Sequence, residues 1–413
     1  MIITHVPYQL PEIVENIYKN LNKIYDNFKK KFKSSFLTHL PSNPSLKIAV
    51  TNRCNMSCNY CYYKRESAED NSKDMSLQFI NQIFKRYPKP SSVFILGGEP
   101  FLNPDVVIQI LKLCSSRVII STNGTIINNK TQKIFDTILE RRKKGQETLL
   151  QVSSEEGGIT KERGKSNLEF IIKELPKLPR DMIKVKFTLT EPDIKIIKKT
   201  TSFYWKNGIP IHYDFVDGGY RDGVSIDLKH ESWKKVFDFM SESLYDSFYS
   251  WQKNKRNLWL IYRAKVIVNR IFPFILQLLH SGFPPLLSCS VFNYSIFIDP
   301  SENTYPCHRW RSPNQYNWGK LSEMNIQKVI QFNLTEWLKS QKYCNDCFWR
   351  GICGGLCPAV MSEYGKNVIK GRCKFSGALR DAVFSFLVDK KIMYNHDIDQ
   401  YLSYVKKIGN LKL

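Results

Sequence analysis

Between residues 45 and 216 the sequence alternates between short strand-like runs and longer segments whose apolar residues have helical spacing. Six strands alternating with helices predict a parallel sheet joined by right-handed crossovers, and therefore an α/β fold. A partial (β/α)6 TIM-type barrel and an open doubly wound sheet both satisfy this pattern. The predicted strands are residues 46–51, 93–96, 117–122, 148–153, 183–189 and 209–215, and the predicted helices are 76–87, 105–114, 131–142 and 166–175.

The rest of the chain differs in pattern from this alternating region. Residues before 45 have helical spacing and end in the breaker cluster LPSNPS, whereas cysteine spacing dominates after residue 286. We expect five segments: a helical lead-in at 1–44, a barrel at 45–225, a helical connector at 226–285, a small cysteine-rich domain at 286–385 and a tail at 386–413.

Composition places the chain among globular proteins of the cytoplasm. Of its 413 residues, 42% are hydrophobic, which is enough for a substantial core. The N-terminus shows no signal peptide. The most apolar stretch, residues 257–279, contains three basic residues, each of which would cost about 2.5–3.5 kcal/mol at a membrane centre. We therefore expect no membrane span, and in a reducing compartment eleven cysteines indicate metal ligands rather than disulfides.

The formal net charge of +23 admits two interpretations. Lysine-rich stretches such as residues 27–33 are most often solvated surface. The functional alternative is attraction to an acidic partner, which would be a peptide or a nucleic acid.

Three cysteines lie close together just after the first predicted strand, in TNRCNMSCNYCYY at residues 51–63. Cys54, Cys58 and Cys61 have the spacing CxxxCxxC. A structural zinc site needs four ligands, and only three are present here. Three thiolates on a [4Fe–4S] cluster would leave one iron without a protein ligand, open to a small molecule.

This motif resembles that of the radical S-adenosylmethionine (radical SAM) enzymes, in which an aromatic residue precedes the third cysteine, as Tyr60 does here. The resemblance implies that the open iron chelates S-adenosylmethionine. One electron then cleaves this cofactor to methionine and a 5′-deoxyadenosyl radical, which takes a hydrogen atom from the substrate. The protein's part is to position and shield these groups.

The same resemblance implies further cofactor-binding residues after successive strands. ILGGEP at residues 95–100 matches the Gly-Gly-Glu-Pro stretch that grips the methionine amino group. STNGT follows the third strand, where the family places polar groups near the ribose and carboxylate, and VSSEEGG follows the fourth. The cofactor-binding residues implied are Tyr60, Gly97, Gly98, Glu99, Ser121, Thr122, Asn123, Ser153 and Arg163.

Seven more cysteines occupy the C-terminal third and resemble the SPASM domain, the auxiliary-cluster module of peptide-modifying radical SAM enzymes. The resemblance implies two auxiliary [4Fe–4S] clusters. Glu302 stands where this domain normally has a glycine. The remaining cysteine, Cys114, ends a predicted helix and is interpreted as a buried apolar residue. The first auxiliary cluster would use Cys289, Cys307 and Cys357, and the second Cys344, Cys347, Cys353 and Cys373.

Two branches of this family differ in substrate. Sulfatase maturases carry an aspartate base directly after the second SPASM cysteine, where this chain has His308, a candidate base. The branch that cross-links ribosomally made peptides, with a cyclophane-type bond favoured, is preferred. Residues 1–44 are too short for a winged-helix leader-binding module, so leader recognition would need a separate protein or the basic surface. A flavodoxin or ferredoxin is expected as reductant. An RNA-modifying radical enzyme and an electron carrier are the alternatives.

Overall fold

The structure is a computed structural model that describes the first five βα repeats and parts of the C-terminal third. The following paragraphs concern this part of the chain only. The described residues are 43–58, 61, 63, 72–155, 167, 169–189, 193–206, 209, 211–215, 235–236, 238–239, 295–310, 316–324 and 359.

The strands form one sheet in the order β6-β5-β4-β3-β2-β1-β7-β8. All neighbours pair in parallel except β7 and β8, which form an antiparallel hairpin. The six predicted strands are confirmed as β1 to β6, with small shifts at their ends. The strands are β1 Ser45–Ala49, β2 Ser92–Leu96, β3 Arg117–Thr122, β4 Thr148–Glu155, β5 Ile183–Leu189, β6 Ile211–Phe215, β7 Ser295–Ile298 and β8 Thr304–Tyr305.

The order of β1 to β6 decides between the two predicted architectures. Each strand lies beside its predecessor and the order never reverses, so right-handed crossovers place every connecting helix on the same face of the sheet. A doubly wound sheet would have helices on both faces. The fold is therefore the partial TIM-type barrel.

The four α-helices are α1 Leu77–Arg86, α2 Pro104–Leu113, α3 Asn129–Lys143 and α4 Ile194–Lys206. Side-chain caps define two of their starts. The Ser76 hydroxyl accepts from the Phe79 amide at the start of α1, and the Asn128 side chain accepts from two amides at the start of α3. The predicted helix at 166–175 is confirmed as helical: Asn167 and Glu169 are α-helical, and Phe170–Glu174 form a π-helix that passes into a 3-10 turn at Leu175–Lys177 containing Pro176.

The two faces of the sheet have different chemistry. On the helix-covered face, the side chains are apolar and fully buried, such as Ile48 on β1, Ile95 on β2 and Ile120 on β3. On the other face polar side chains alternate with them: Lys47 on β1 is 9% exposed and Gln151 on β4 is 8% exposed. The inner face of the barrel is therefore partly polar, as expected of a face that receives ligands.

No helix in the described part of the chain is both long and apolar enough to span a membrane.

Candidate active site

The cysteine loop, residues 51–63, leaves the C-terminal end of β1, as the sequence predicted. Cys58 is buried and Cys54 and Cys61 are half-buried, and all three are free thiols. The Cys61 amide donates a hydrogen bond of 3.1 Å to the Cys58 carbonyl, which closes a turn between the second and third cysteines. The loop that carries the three cysteines thus lies at the end of the barrel where active groups lie in such folds.

An ion pair holds one side of the loop. The Arg53 guanidinium donates to both carboxylate oxygens of Asp74, at 2.9 Å and 2.5 Å. It also donates to the carbonyl of Leu102 at 2.8 Å. Asp74 raises the pKa of Arg53 above its ordinary value. The residue before Cys54 is thereby tied to the segments before α1 and before α2.

The Gly-Gly-Glu stretch holds the other side of the loop. The Gly98 amide donates to the Thr51 carbonyl and the Glu99 amide to the Arg53 carbonyl, both at 2.8 Å. A Cβ on Gly97 or Gly98 would collide with the backbone of the cysteine loop. The close approach that these glycines permit is to the cysteine loop itself, a role that sequence reasoning did not identify.

The Glu99 carboxylate is fully buried and bonded to groups of the protein. One oxygen accepts from the Phe101 amide at 3.0 Å and from the Thr122 hydroxyl at 2.7 Å. The other accepts from the Asn123 amide at 2.6 Å. Glu99 therefore joins the end of β2 to the end of β3, and its predicted contact with the cofactor's amino group stays a prediction.

The Asn123 side chain joins the end of β3 to the cysteine loop. Its amide nitrogen donates to the Asn55 side-chain oxygen at 2.9 Å and to the Cys54 sulfur at 3.9 Å. Its side-chain oxygen accepts from the amide and the hydroxyl of Thr125 at 3.0 and 2.7 Å. Asn123 is thus close to the predicted cluster, as expected, but its hydrogen bonds go to the protein.

Asn167 was not identified from the sequence. Its side chain is buried and donates to the Asn123 carbonyl at 2.6 Å and the Ser153 carbonyl at 3.1 Å, so it joins the ends of β3 and β4. Ser121 and Ser153 lie half-buried on the inner face, and Ser121 accepts from the Gln151 amide at 3.4 Å. These two predicted cofactor residues therefore line the barrel interior.

Tyr63 was also not identified as a site residue, although it ends the cysteine motif. Its hydroxyl donates to the Asn52 side chain at 2.8 Å. Its ring packs with Ala49, Phe297 and other apolar residues, and Cys61 lies against this cluster. Tyr63 thus fixes the far end of the loop to the barrel.

The β7–β8 hairpin brings a C-terminal cysteine to the same sheet. Glu302 in its turn has φ 67°, so it adopts the left-handed conformation that favours glycine. Asp299 organises the turn by accepting from the Asn303 amide at 2.9 Å and the Tyr305 hydroxyl at 3.1 Å. Cys307 follows two residues after β8 and is buried.

His308, the candidate base, lies beside Cys307 with its Nδ1 3.6 Å from the cysteine sulfur. Burial lowers the pKa of His308 well below its usual value, and the charges of Lys47, Arg309 and Lys186 lower it further. Lys47 on β1 and Lys186 on β5 both lie on the inner face of the sheet, and His308 is half-buried beside Cys307.

The three motif cysteines have the donor chemistry of an iron–sulfur cluster. None of them is in a disulfide, and the loop that carries them is held by backbone hydrogen bonds from Gly98 and Glu99. Among the described residues, no group of three histidine, cysteine or acidic side chains is placed to hold one metal ion. In a [4Fe–4S] cluster each thiolate would bind a different iron, and the assignment of these three cysteines to such a cluster stays a prediction.

Several predicted site residues lie outside the described residues, and their assignments stay predictions. They are Tyr60, Arg163, Cys289, Cys344, Cys347, Cys353, Cys357 and Cys373.

Comparison with known proteins identifies the barrel region. Residues 48–190 match the radical SAM superfamily. A probable GTP 3′,8-cyclase of Methanocaldococcus jannaschii is 33% identical over 110 residues, which are 25% of this chain and 37% of that protein. The GTP 3′,8-cyclase of Staphylococcus aureus is 30% identical over 107 residues, 23% and 32% of the two chains. The match thus spans about a third of the length of these curated relatives.

Solved structures resemble the chain over a greater length. Native anSMEcpe with bound AdoMet and Cp18Cys peptide has a TM-score of 0.57 at 13% identity, and the match covers 84% of this chain and 99% of that one. Streptococcus suis SuiB bound to precursor peptide SuiA has a TM-score of 0.54 at 15% identity, covering 84% and 78%. At these identities the likeness concerns the fold. The family match alone shows a radical SAM domain at residues 48–190 of this chain, a domain found in enzymes.

Proposed function

We propose that the protein is a radical SAM enzyme that modifies a ribosomally made peptide. The assignment to the radical SAM enzymes rests on three parts of the structure that lie together at the C-terminal ends of β1 to β3. These parts are the loop with its three free cysteines, the Gly-Gly-Glu stretch and Asn123. They occupy the end of a partial barrel whose inner face is half polar.

Cys54, Cys58 and Cys61 would hold a [4Fe–4S] cluster, and Ser121 and Ser153 on the inner face would face S-adenosylmethionine. When bound, the cluster would supply the one electron for reductive cleavage of this cofactor, the chemistry by which enzymes of this family begin hydrogen-atom abstraction. The backbone bonds from Gly98 and Glu99 would hold the cysteine loop in place.

Two auxiliary [4Fe–4S] clusters in a SPASM domain are the second part of the proposal, with Cys289, Cys307 and Cys357 on one and the remaining four cysteines on the other. One contact supports it. Ala359, which stands two residues after Cys357 in the sequence, packs with Cys307 and Trp310. Ala359, which follows the dense cysteine motif in the sequence, thus lies against the segment that carries Cys307.

A peptide is the substrate that the fold favours. Both structural neighbours named above were solved with a peptide bound, and the match to each covers 84% of this chain. We propose a cross-linking reaction, with a cyclophane-type bond preferred, and His308 as a neutral base near the barrel interior. A flavodoxin or ferredoxin would supply electrons in the cytoplasm, and a separate protein would recognise the leader.

Formylglycine formation in a sulfatase is the second candidate, because sulfatase maturases share the cysteine pattern that the C-terminal third of this chain resembles. A histidine in place of the aspartate base argues against it. The GTP cyclases match only a quarter of this chain, so the similarity does not indicate that this chain acts on GTP.

The test begins with anaerobic reconstitution. The wild-type protein should bind about twelve irons in three clusters, and replacement of Cys54, Cys58 and Cys61 by Ala should leave about eight and abolish 5′-deoxyadenosine formation. Cys114→Ala is the matched control and should keep all of the iron. Mass spectrometry of candidate precursor peptides should then show loss of two hydrogens per cross-link. Formation of 5′-deoxyadenosine by the triple variant would contradict the site assignment.

A further inference from the structure

The Asn123 side chain has its hydrogen-bonding groups engaged within the protein. Its two amide hydrogens point to the Asn55 oxygen and the Cys54 sulfur, at 2.9 and 3.9 Å. Its oxygen accepts both the amide and the hydroxyl of Thr125. A side-chain amide offers two donors and one oxygen with two lone pairs, so these four contacts use its full capacity.

The backbone of Asn123 is held as firmly as its side chain. Its amide donates to the buried Glu99 carboxylate at 2.6 Å, and its carbonyl accepts from the buried Asn167 side chain at 2.6 Å. Asn123 itself is 8% exposed. A residue held at each of its polar atoms is suited to holding its neighbours in place, and has little capacity left for binding a ligand that comes and goes.

We propose that Asn123 is a positioning residue for the cysteine loop, which holds Cys54 in place and donates an N–H···S hydrogen bond to its thiolate. This replaces the ribose or carboxylate contact that the sequence suggested for Asn123. The inference rests on the proposed function, because it requires Cys54 to be a cluster ligand.

The hydrogen bond that Asn123 donates to the Cys54 sulfur affects the reduction potential of the cluster. Hydrogen bonds to the sulfurs help to set the reduction potential of an iron–sulfur cluster. A donor facing a thiolate stabilises negative charge, and the reduced cluster carries one more negative charge than the oxidised one. Asn123 therefore favours the reduced state, which is the state that can donate an electron.

The experiment is a redox titration of the reconstituted full chain, followed by electron paramagnetic resonance. The cluster of interest is identified as the one whose signal changes when S-adenosylmethionine is added. In Asn123→Ala its midpoint should become more negative, with about a tenfold lower ratio of reduced to oxidised cluster at a fixed potential, equivalent to about 59 mV for one electron. The other clusters should keep their midpoints.

Two further variants separate positioning from stability. Asn128→Ala removes an asparagine that caps α3 five residues away, so it should destabilise the chain and leave the midpoint unchanged. Thr125→Val keeps Asn123 but removes the hydroxyl that bonds to both the Asn123 and the Asn55 side chains. Its midpoint should shift in the same direction by less, and this variant decides the question if Asn123→Ala does not fold.

Iron content separates failure of this inference from failure of the proposed function. Wild-type protein that binds no cluster at Cys54, Cys58 and Cys61 would contradict both. A normal iron content with the wild-type midpoint in Asn123→Ala and Thr125→Val would overturn the role of Asn123 alone.

Discussion

The Glu99 amide donates a hydrogen bond of 2.8 Å to the carbonyl of Arg53, the residue that precedes the first cysteine of the motif. One residue earlier, the chain passes so close to the loop that only glycine fits, because a Cβ on Gly98 would collide with the same Arg53 carbonyl. The Gly-Gly-Glu stretch is therefore part of the structure that holds the cysteine loop.

Gly98→Ala should consequently displace the loop and reduce iron binding at the motif cysteines, before any effect on S-adenosylmethionine. The measurement is iron content after reconstitution, expected to fall toward about eight irons per chain. Gly145→Ala is the control. Gly145 has a positive φ of 72°, which Gly98 does not, but a Cβ there would meet nothing within 4 Å. It should cost about 1 kcal/mol in backbone strain and leave the iron content unchanged.

Glu99→Gln should destabilise the protein even without its cofactors. The carboxylate accepts from Phe101, Thr122 and Asn123, and the new amide would place a donor against one of these donors. Loss of one hydrogen bond to a charged group costs about 1.5–3 kcal/mol. Thermal unfolding of the apoprotein should show a midpoint several degrees lower. An unchanged midpoint with weakened S-adenosylmethionine binding would instead indicate that Glu99 acts only in binding the cofactor.

Glu302→Gly should stabilise the β7–β8 turn. Glu302 has φ 67°, and the left-handed conformation costs a residue with a Cβ about 1–2 kcal/mol. Glycine removes this strain but has the greater backbone entropy to lose, about 0.5–1 kcal/mol, so the net gain should be about 0.5–1 kcal/mol. A small rise in the thermal midpoint would confirm it. A fall would indicate that the Glu302 side chain makes a compensating contact.

Cys114 should resist alkylation in the folded protein. It is fully buried, and burial raises the pKa of its thiol above the ordinary value of 9.0. Because only the thiolate reacts, iodoacetamide should label Cys54 and Cys61 of the apoprotein at neutral pH and spare Cys114. Peptide mass spectrometry before and after denaturation measures this. Labelling of Cys114 under native conditions would contradict its interpretation as a core residue.

The net charge of +23 should favour the binding of a peptide substrate and not of RNA. Attraction between exposed charges is screened over about 8 Å at physiological salt, so peptide binding should weaken with salt but persist where residues enter the barrel. RNA binding would fall steeply on a log-log salt plot, with a slope set by the phosphates neutralised. Titrations with a candidate precursor peptide and with bulk RNA at two salt concentrations distinguish them. Selective RNA binding at high salt without peptide affinity would favour the RNA-modifying alternative.

Periodicity was sufficient to predict β1 to β6 because their apolar runs are bounded by turn residues and separated by helical segments. It did not predict β7. Ser295–Ile298 is only four residues long, is buried on both faces and therefore lacks alternation. The place of α4 between β5 and β6 follows from the same alternation, but its bounds were not predicted.

The motifs located the site but not the partners of each residue. Cys54, Gly98, Glu99 and Asn123 were all expected near one another, since the ends of adjacent parallel strands meet at one edge. Glu99 and Asn123 bond chiefly to other groups of the protein. The spacing of residues in the sequence does not predict this, because it does not give the distances between side-chain atoms. Asn167 carries no sequence signal at all, because a lone asparagine in a polar segment is ordinary.

The parallel pairing of β1 with β7 has a consequence for the order of assembly. Ser45 pairs with Ser295, so the strand that leads into the cysteine loop has a neighbour on each side only after about 300 residues have been synthesised. Until then β1 is an open edge of the growing sheet, and closing a loop of that length is slow. The end of the cysteine loop at Cys61 and Tyr63, which packs with Phe297 of β7, can therefore reach its final environment only late in translation.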